Sequence, residues 1–262
     1  MSFISSAKSD RLAKLRGAIQ ALETPTTGRA RVETVPLGAT AIDACLPWNG
    51  LPMGGLHEVA GDAAASGFCA ALLARIAAAR PQAPILWCQP GHDLYGHGLS
   101  TFGLAPGRLI MLHGRNDEEI LWAMEEGLRS PGLAAVLGQV GKLSPIAARR
   151  LHLAAETAGT TGFLLRPGRL HAPSSAALTR WRVDCAPSAQ GMGMGLGLAR
   201  WQVGLQRCRM GVSPTRGDMA DGFMSPCSWL VEWCDETGDL SVLAGIGDRP
   251  AEQIPARQAT AS

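Results

Sequence analysis

Apolar strands alternate with helices over residues 56–167, and this alternation constrains the fold more than any other feature of the chain. The strand-like segments are 56–61, 84–90, 108–114, 133–140 and 161–167. The helix-like segments between them are 63–80, 93–103, 117–130 and 144–159. Strands that are apolar on both faces are typical of a parallel sheet covered by helices. The sequence therefore predicts an α/β fold, with a mostly parallel sheet and helices on both of its faces.

The pattern changes after residue 176, where strand-like segments follow one another without helices. They are 177–186, 198–209, 228–235 and 240–246, and the last two flank "ETGD", a hairpin turn signal. We therefore predict an α/β core over 35–185 and a β-rich C-terminal extension over 198–248. The polar tail 249–262 is predicted to be disordered.

The N-terminal segment 1–24 contains a predicted amphipathic helix. Leu12, Leu15, Ile19 and Leu22 share one face of it. The segment "TPTTGRARVET" that follows has the composition of a linker. The helix can pack on its own domain or dock on a partner, and we predict that it is a partner-binding helix.

The segment "GDAAASGFC" at 61–69 lies between a strand and a helix, where phosphate-binding loops occur. The usual pattern is G-x-x-x-x-G-K-[ST], in which the lysine and the hydroxyl hold the phosphates and Mg²⁺. Here five residues separate Gly61 from Gly67, and Phe68 and Cys69 stand at the last two positions. Thiols are poor ligands for Mg²⁺, so this segment is predicted not to bind ATP.

The stretch "VPLGATAIDACLPWNGLPMGGLHEVAG" resembles the entry to the ATPase core of RecA recombinases, and the similarity extends over about residues 35–185. The altered phosphate segment, the shortened second half and the ending "ARWQVGLQRCR…SWLVEWCDETGDL" resemble the ImuA branch of RecA-like proteins. That resemblance implies a role in the SOS response and translesion DNA synthesis. It implies ImuB and an error-prone DnaE-type polymerase as partners, with RecA as a further candidate.

Three more positions depart from the RecA pattern for ATP hydrolysis. Gly138 stands where the resemblance implies a Mg²⁺-binding aspartate, and Gln89 where it implies the carboxylate that positions water. Arg166 stands where RecA has a glutamine that senses the γ-phosphate. We therefore expect no catalytic residues, no nucleotide cofactor and no enzymatic activity.

Basic residues concentrate between Lys142 and Arg182, where seven Lys or Arg residues accompany one acidic residue. Arg149, Arg150, Arg166 and Arg169 are candidates for weak, non-specific DNA contacts or for an acidic partner. The alternative is a set of scattered, solvated arginines, since the net charge of the chain is only +2.

No metal site is expected. His92, Asp93 and His97 invite a metal interpretation, but their spacing does not suit one helical face. The seven cysteines contain no C-x-x-C pair. The chain also has neither a signal-peptide pattern nor a membrane-spanning run, so a cytoplasmic location is expected.

Two alternative functions remain open. A SulA-like inhibitor of cell division would share the RecA-like core, although those proteins are shorter and the β-rich ending argues against them. A DNA-stimulated ATPase would require that phosphates are held by residues outside the usual pattern.

Overall fold

The computed structural model describes residues 33–168, 176–188, 197–209 and 227–245. The predicted N-terminal helix with Leu12, Leu15, Ile19 and Leu22 lies outside these residues, as do Arg169 and the tail 249–262. The proposed division into a core and a β-rich extension stays a prediction.

A large sheet forms the centre of the fold, beside a small two-stranded sheet. The small sheet consists of β1 (Thr34–Val35) and β2 (Leu51–Pro52). The large sheet consists of β3 (Leu56–Gly61), β4 (Ile85–Pro90), β5 (Leu109–Gly114), β6 (Ala135–Gln139), β7 (Thr161–Pro167), β8 (Thr179–Ala186), β9 (Arg200–Cys208), β10 (Cys227–Cys234) and β11 (Asp239–Gly245). Its strand order is β11-β10-β9-β8-β3-β7-β6-β4-β5.

Strands β3 to β8 are parallel, whereas β9, β10 and β11 add to β8 in antiparallel pairs. Parallel neighbours need long crossover connections, usually through a helix, and antiparallel neighbours do not. This difference explains why the helices stop where the β-rich segments begin. In the described residues, those segments continue the same sheet.

Helices cover both faces of the parallel part, which confirms the predicted α/β fold. They are α1 (Thr40–Asp43), α2 (Ala63–Ala79), α3 (Asp117–Arg129) and α4 (Pro145–Ala158), with 3-10 helices at Gly96–Phe102 and Pro106–Arg108. One core lies under α2 and includes Val59 and Trp87; the other lies under α3 and α4 and includes Leu56 and Leu164.

The helix starts follow local sequence signals. Asp62, Asn116 and Ser144 each accept a hydrogen bond from a backbone N–H in the first turn of α2, α3 and α4, respectively. Pro145 follows its cap at the first helical position, where a missing N–H costs nothing. The predicted helix at 93–103 is instead a 3-10 helix from Gly96 to Phe102, in a segment that glycines interrupt.

Strands β8, β9 and β10 bury only one face. Trp181, Trp201, Trp229 and Trp233 lie on that face and belong to the core under α2. Trp229 and Trp233 are core residues, because their exposed fractions are only 5% and 4%. The intervening residues of these strands are mostly half-buried polar side chains.

Candidate functional site

The position of a phosphate-binding loop is occupied by the start of a helix. Strand β3 ends at Gly61, Asp62 is the N-cap, and α2 begins at Ala63. Gly67, Phe68 and Cys69 therefore lie within α2, and the segment after Gly61 does not form the loop that its spacing suggests. The physical reason is local, because three alanines after an aspartate cap strongly favour a helix.

The carboxylate of Asp62 occupies the N-terminus of α2. It accepts hydrogen bonds from the backbone N–H of Ala64, at 2.9 Å, and of Cys185, at 3.0 and 2.9 Å to its two oxygens. A helix N-terminus is where a bound phosphate would lie. Here a side chain of the protein supplies the negative charge at that place.

These contacts favour the ionised form of the Asp62 carboxyl group. Partial burial acts to raise the pKa of its carboxyl group, but the hydrogen bonds from Cys185 and Ala64 outweigh this effect. The nearby Arg182 guanidinium acts in the same direction as the hydrogen bonds. The pKa is therefore lower than the ordinary value, as expected for a carboxylate that accepts backbone N–H groups.

The two glycines of the segment are explained by packing. Gly61 has a φ of 155°, and a Cβ atom there would lie 1.7 Å from the carbonyl oxygen of Val183 in β8. A Cβ atom on Gly67 would lie 3.0 Å from the Phe102 ring and 3.1 Å from the Trp201 ring. Both glycines therefore let neighbouring parts of the fold approach the backbone closely. This packing explains the two glycines without a bound ligand.

Phe68 and Cys69 point into the core rather than toward a ligand. Both are fully buried. The Phe68 ring packs on the Trp181 ring with 5.7 Å between centroids. Burial raises the pKa of the Cys69 thiol well above its ordinary value, so the thiol is neutral and acts as a small apolar group.

Gly138 and Gln89, at the positions where the RecA pattern has a Mg²⁺ ligand and a water-positioning carboxylate, also pack against other residues of the fold. A Cβ atom on Gly138 would lie 2.0 Å from the Sδ atom of Met124, whose side chain is fully buried against β6. The Gln89 side chain is 1% exposed, and its Oε1 accepts a hydrogen bond of 3.1 Å from Trp87 Nε1. The Gln89 amide nitrogen has no hydrogen-bond partner within the described ranges.

Arg166 lies inside the fold, which corrects its assignment to a surface patch. It is 7% exposed, donates to the carbonyl of Gly141 at 2.9 Å, and lies 3.6 Å from the buried Glu58 carboxylate. Of the other three candidates, Arg149 and Arg150 are exposed on α4, and Arg150 pairs with Glu125. Arg169 lies outside the described residues, so its part in the predicted patch stays a prediction.

An aromatic cluster over the start of α2 was not foreseen from the sequence. The Trp201 and Trp233 rings stack with centroids 6.0 Å apart, and Phe102 contacts both rings. Trp233 Nε1 donates to the carbonyl of Thr101 at 3.2 Å, which ties the 3-10 helix to β10. No pattern in the sequence links Phe102 to tryptophans that lie about a hundred residues later.

The histidines form ring contacts. The His92 and His113 rings pack at a tilt with 3.9 Å between centroids, and Tyr95 stacks on His97 at 5.4 Å. Within the described part of the chain, no three side chains suited to a metal ion come together. None of the helices in the described residues is long and apolar enough to span a membrane.

The architecture is a RecA- and KaiC-like α/β fold. A KaiC-like protein from Pyrococcus horikoshii superposes with a TM-score of 0.51 at 15% identity, covering 81% of this chain and 100% of that one. No protein-family model matches the chain.

The sequence relatives then give the family. The ImuA proteins of two Caulobacter vibrioides strains are 36% identical over 200 residues, which cover 70% of this chain and 82% of theirs. The chain belongs to the ImuA family. SulA cell-division inhibitors show shorter matches: the Serratia proteamaculans protein is 32% identical over 85 residues, 32% of this chain and 51% of its own. The Photorhabdus laumondii protein is 31% identical over 96 residues, 37% and 54% of the two chains.

Proposed function

We propose that this chain is a non-catalytic accessory protein of DNA-damage-induced translesion synthesis. In this proposal it acts in the cytoplasm during the SOS response and helps to assemble a complex of ImuB and an error-prone DnaE-type polymerase. Membership of the ImuA family supports this role. RecA remains a further candidate partner.

The observation that carries the non-catalytic part of the proposal is the Asp62 carboxylate at the N-terminus of α2. Phosphate binding in this class of fold needs free backbone N–H groups and a positive charge at that place. Here the N–H of Ala64 is bound to an internal carboxylate, and the side chain at position 68 is a buried phenylalanine. A nucleotide phosphate would meet a negative charge instead of a lysine.

A melting experiment with ATP and Mg²⁺ tests this part. We expect no increase in melting temperature at millimolar ATP and no phosphate release, with or without single-stranded DNA. A ligand at a hundredfold excess over its dissociation constant stabilises a protein by about 2.7 kcal/mol, so a binder would give a clear shift. Sodium sulfate at equal ionic strength controls for general anion effects. A shift with ATP that sulfate does not give, together with phosphate release, would support the ATPase alternative.

The assembly part of the proposal concerns the predicted N-terminal helix. Its stripe of Leu12, Leu15, Ile19 and Leu22 fits the helix-in-groove mode of recognition. We propose that this stripe docks on ImuB or on a RecA-like neighbour. Co-purification of tagged full-length chain with ImuB from damaged cells tests the association, and loss of ImuB on disruption of the stripe is the expected result.

A SulA-like inhibitor of cell division is the second candidate, because SulA proteins match part of this chain. The chain spans only about half of each of those relatives. Overexpression in growing cells separates the two functions. Filamentation without DNA damage would favour the SulA-like function, and normal division would favour the translesion role.

A further inference from the structure

Three large apolar side chains are exposed on the outer side of α3 and α4. Trp122 is 66% exposed, Ile146 is 76% exposed, and Leu153 is exposed as well. Single exposed apolar residues are ordinary on a protein surface, but these three belong to two helices that pack side by side. The inner sides of both helices cover the core beneath them. We call the outer surface with Trp122, Glu126, Ile146, Arg149 and Leu153 the α3–α4 face.

The two helices run in the same direction and are in register. Helix α3 joins β5 to β6 and α4 joins β6 to β7, and these strands are parallel, so both helices run back along the sheet in the same sense. An ion pair between Glu125 of α3 and Arg150 of α4 aligns them. Trp122 precedes the α3 member of this pair by three residues, and Ile146 precedes the α4 member by four. Both apolar side chains therefore lie about one turn earlier, at nearly the same level along the helices.

The two helices differ in charge. Helix α3 contains five acidic residues and one arginine, whereas α4 contains two arginines and one glutamate. Glu126 is exposed and lies four residues after Trp122, so it shares the side of α3 on which Trp122 lies. Arg149 is exposed on α4, between Ile146 and Leu153. The α3–α4 face therefore has an acidic half and a basic half, with apolar side chains on both.

Such a face is complementary to a second copy of itself. In a dimer whose twofold axis runs along the helices, between α3 and α4, each α3 lies over the α4 of the other copy. Rotation about this axis keeps every residue at its level, so Trp122 of one copy meets Ile146 of the other. Glu126 and Arg149 of opposite copies lie at levels that differ by about 3 Å. A partner of one charge sign would instead meet like charge on one of the two helices.

We propose that the α3–α4 face binds a second copy of this chain in a symmetric dimer. Trp122 anchors the contact, because tryptophan is among the residues that contribute most to binding once an interface covers them. The Trp122–Ile146 contacts form its apolar part, and the Glu126–Arg149 contacts set its register. This proposal depends neither on the translesion role nor on whether α2 binds a nucleotide, so each can fail alone.

Sedimentation equilibrium of the full-length chain at about 1–100 μM tests the proposal. We expect a monomer–dimer equilibrium, and Trp122→Glu should raise the dissociation constant of the dimer at least about thirtyfold. Tyr95→Glu is the matched control, since Tyr95 is an aromatic residue that is 73% exposed and lies outside the α3–α4 face, before the 3-10 helix. The control should change the constant less than about threefold. Melting curves establish that all variants are folded.

Charge reversal tests the pairing of the two halves. Glu126→Arg places two arginines at each Glu126–Arg149 contact, and Arg149→Glu places two glutamates there. Each variant alone should therefore dimerise at least about tenfold more weakly than the unaltered chain. An equimolar mixture of the two variants restores opposite charges at both contacts, so the mixture should form a heterodimer.

Several results would overturn the proposal. They are an unaltered chain that stays monomeric over this range, a dimer that the Trp122 and Tyr95 variants affect equally, and a mixture of charge-reversed variants that stays monomeric. A dimer that survives Trp122→Glu but is lost when Leu15 and Ile19 are changed to Asp belongs to the N-terminal stripe instead. A monomeric chain whose Trp122→Glu variant no longer co-purifies with ImuB would assign the α3–α4 face to that other protein.

Discussion

Replacing Asp62 by Ala should destabilise the protein, although the residue is exposed and stands where a ligand-binding loop would be. The change removes the N-cap of α2, which accepts a hydrogen bond from Ala64 N–H. It also removes the link to β8, because both carboxylate oxygens accept from Cys185 N–H. If Asp62 were only a remnant beside an open phosphate site, its removal would have little effect or would stabilise the chain.

The expected magnitude comes from these two contributions. Replacing a capping Asp by Ala costs about 0.5–2 kcal/mol. A hydrogen bond to a charged group contributes about 1.5–3 kcal/mol when buried, and exposure of Asp62 reduces this contribution. We therefore expect a loss of about 2 kcal/mol, or a melting temperature lower by about 4–8 °C for a domain of this size. Urea and thermal unfolding measure both quantities.

Ser144→Ala provides a matched control, because Ser144 caps α4 with one hydrogen bond, from Ala147 N–H at 3.1 Å, and is also exposed. Its loss should cost about 1 kcal/mol. Asp62→Asn keeps an oxygen at the cap but loses the charge, so it should fall between wild type and Asp62→Ala. An Asp62→Ala effect no larger than that of Ser144→Ala would refute the link between α2 and β8.

The pH dependence has a definite sign. The pKa of Asp62 is lowered in the folded state, so the ionised carboxylate stabilises the fold at pH values above its unfolded pKa, about 3.9. The stability difference between wild type and Asp62→Ala should therefore be constant near neutral pH. It should shrink as the pH falls below about 4 and the folded carboxylate takes up a proton. A difference that persists unchanged at pH 2 would contradict an electrostatic role.

Two further predictions concern packing and docking. Gly138→Ala should cost about 1–3 kcal/mol in urea unfolding, because its Cβ atom would lie 2.0 Å from the Sδ atom of the buried Met124; an unchanged midpoint would show that Met124 moves freely. Replacing both Leu15 and Ile19 with Asp should abolish partner co-purification and damage-induced mutagenesis, while the melting temperature of the domain changes by about a degree or less. Unfolding of the domain by this double change would instead place the helix in its own core.

The sequence predicted the sheet well because its signal is local. Continuous apolar strands between helices indicate a parallel sheet, whichever residues follow the ends of the strands. The spacing of the phosphate-binding pattern identified the altered position at Phe68, and the resemblance to RecA identified those at Gly138 and Gln89. It could not predict that the segment after Gly61 is a helix throughout, since glycine spacing suggested a loop and alanine propensity suggested a helix.

Long-range contacts explain the remaining differences. Arg166 looked like a surface arginine in a basic segment, but Glu58, more than a hundred residues earlier, lies 3.6 Å from its guanidinium inside the fold. Arg207 and Arg180 became neighbours only through the register of β9 on β8. Such pairings depend on strand order, which the sequence pattern alone leaves open.

The altered phosphate segment and the C-terminal strands form one structural unit. The start of α2 and the two residues before it contact β8 and β9 at four places: Gly61 with Val183, Asp62 with Cys185, Gly67 with Trp201, and Phe68 with Trp181. Restoring a lysine at position 68 would bury an ammonium group against Trp181, and a longer side chain at position 67 would displace Trp201. Because these contacts share the same few residues, single substitutions that restore ATP ligands should first lose stability.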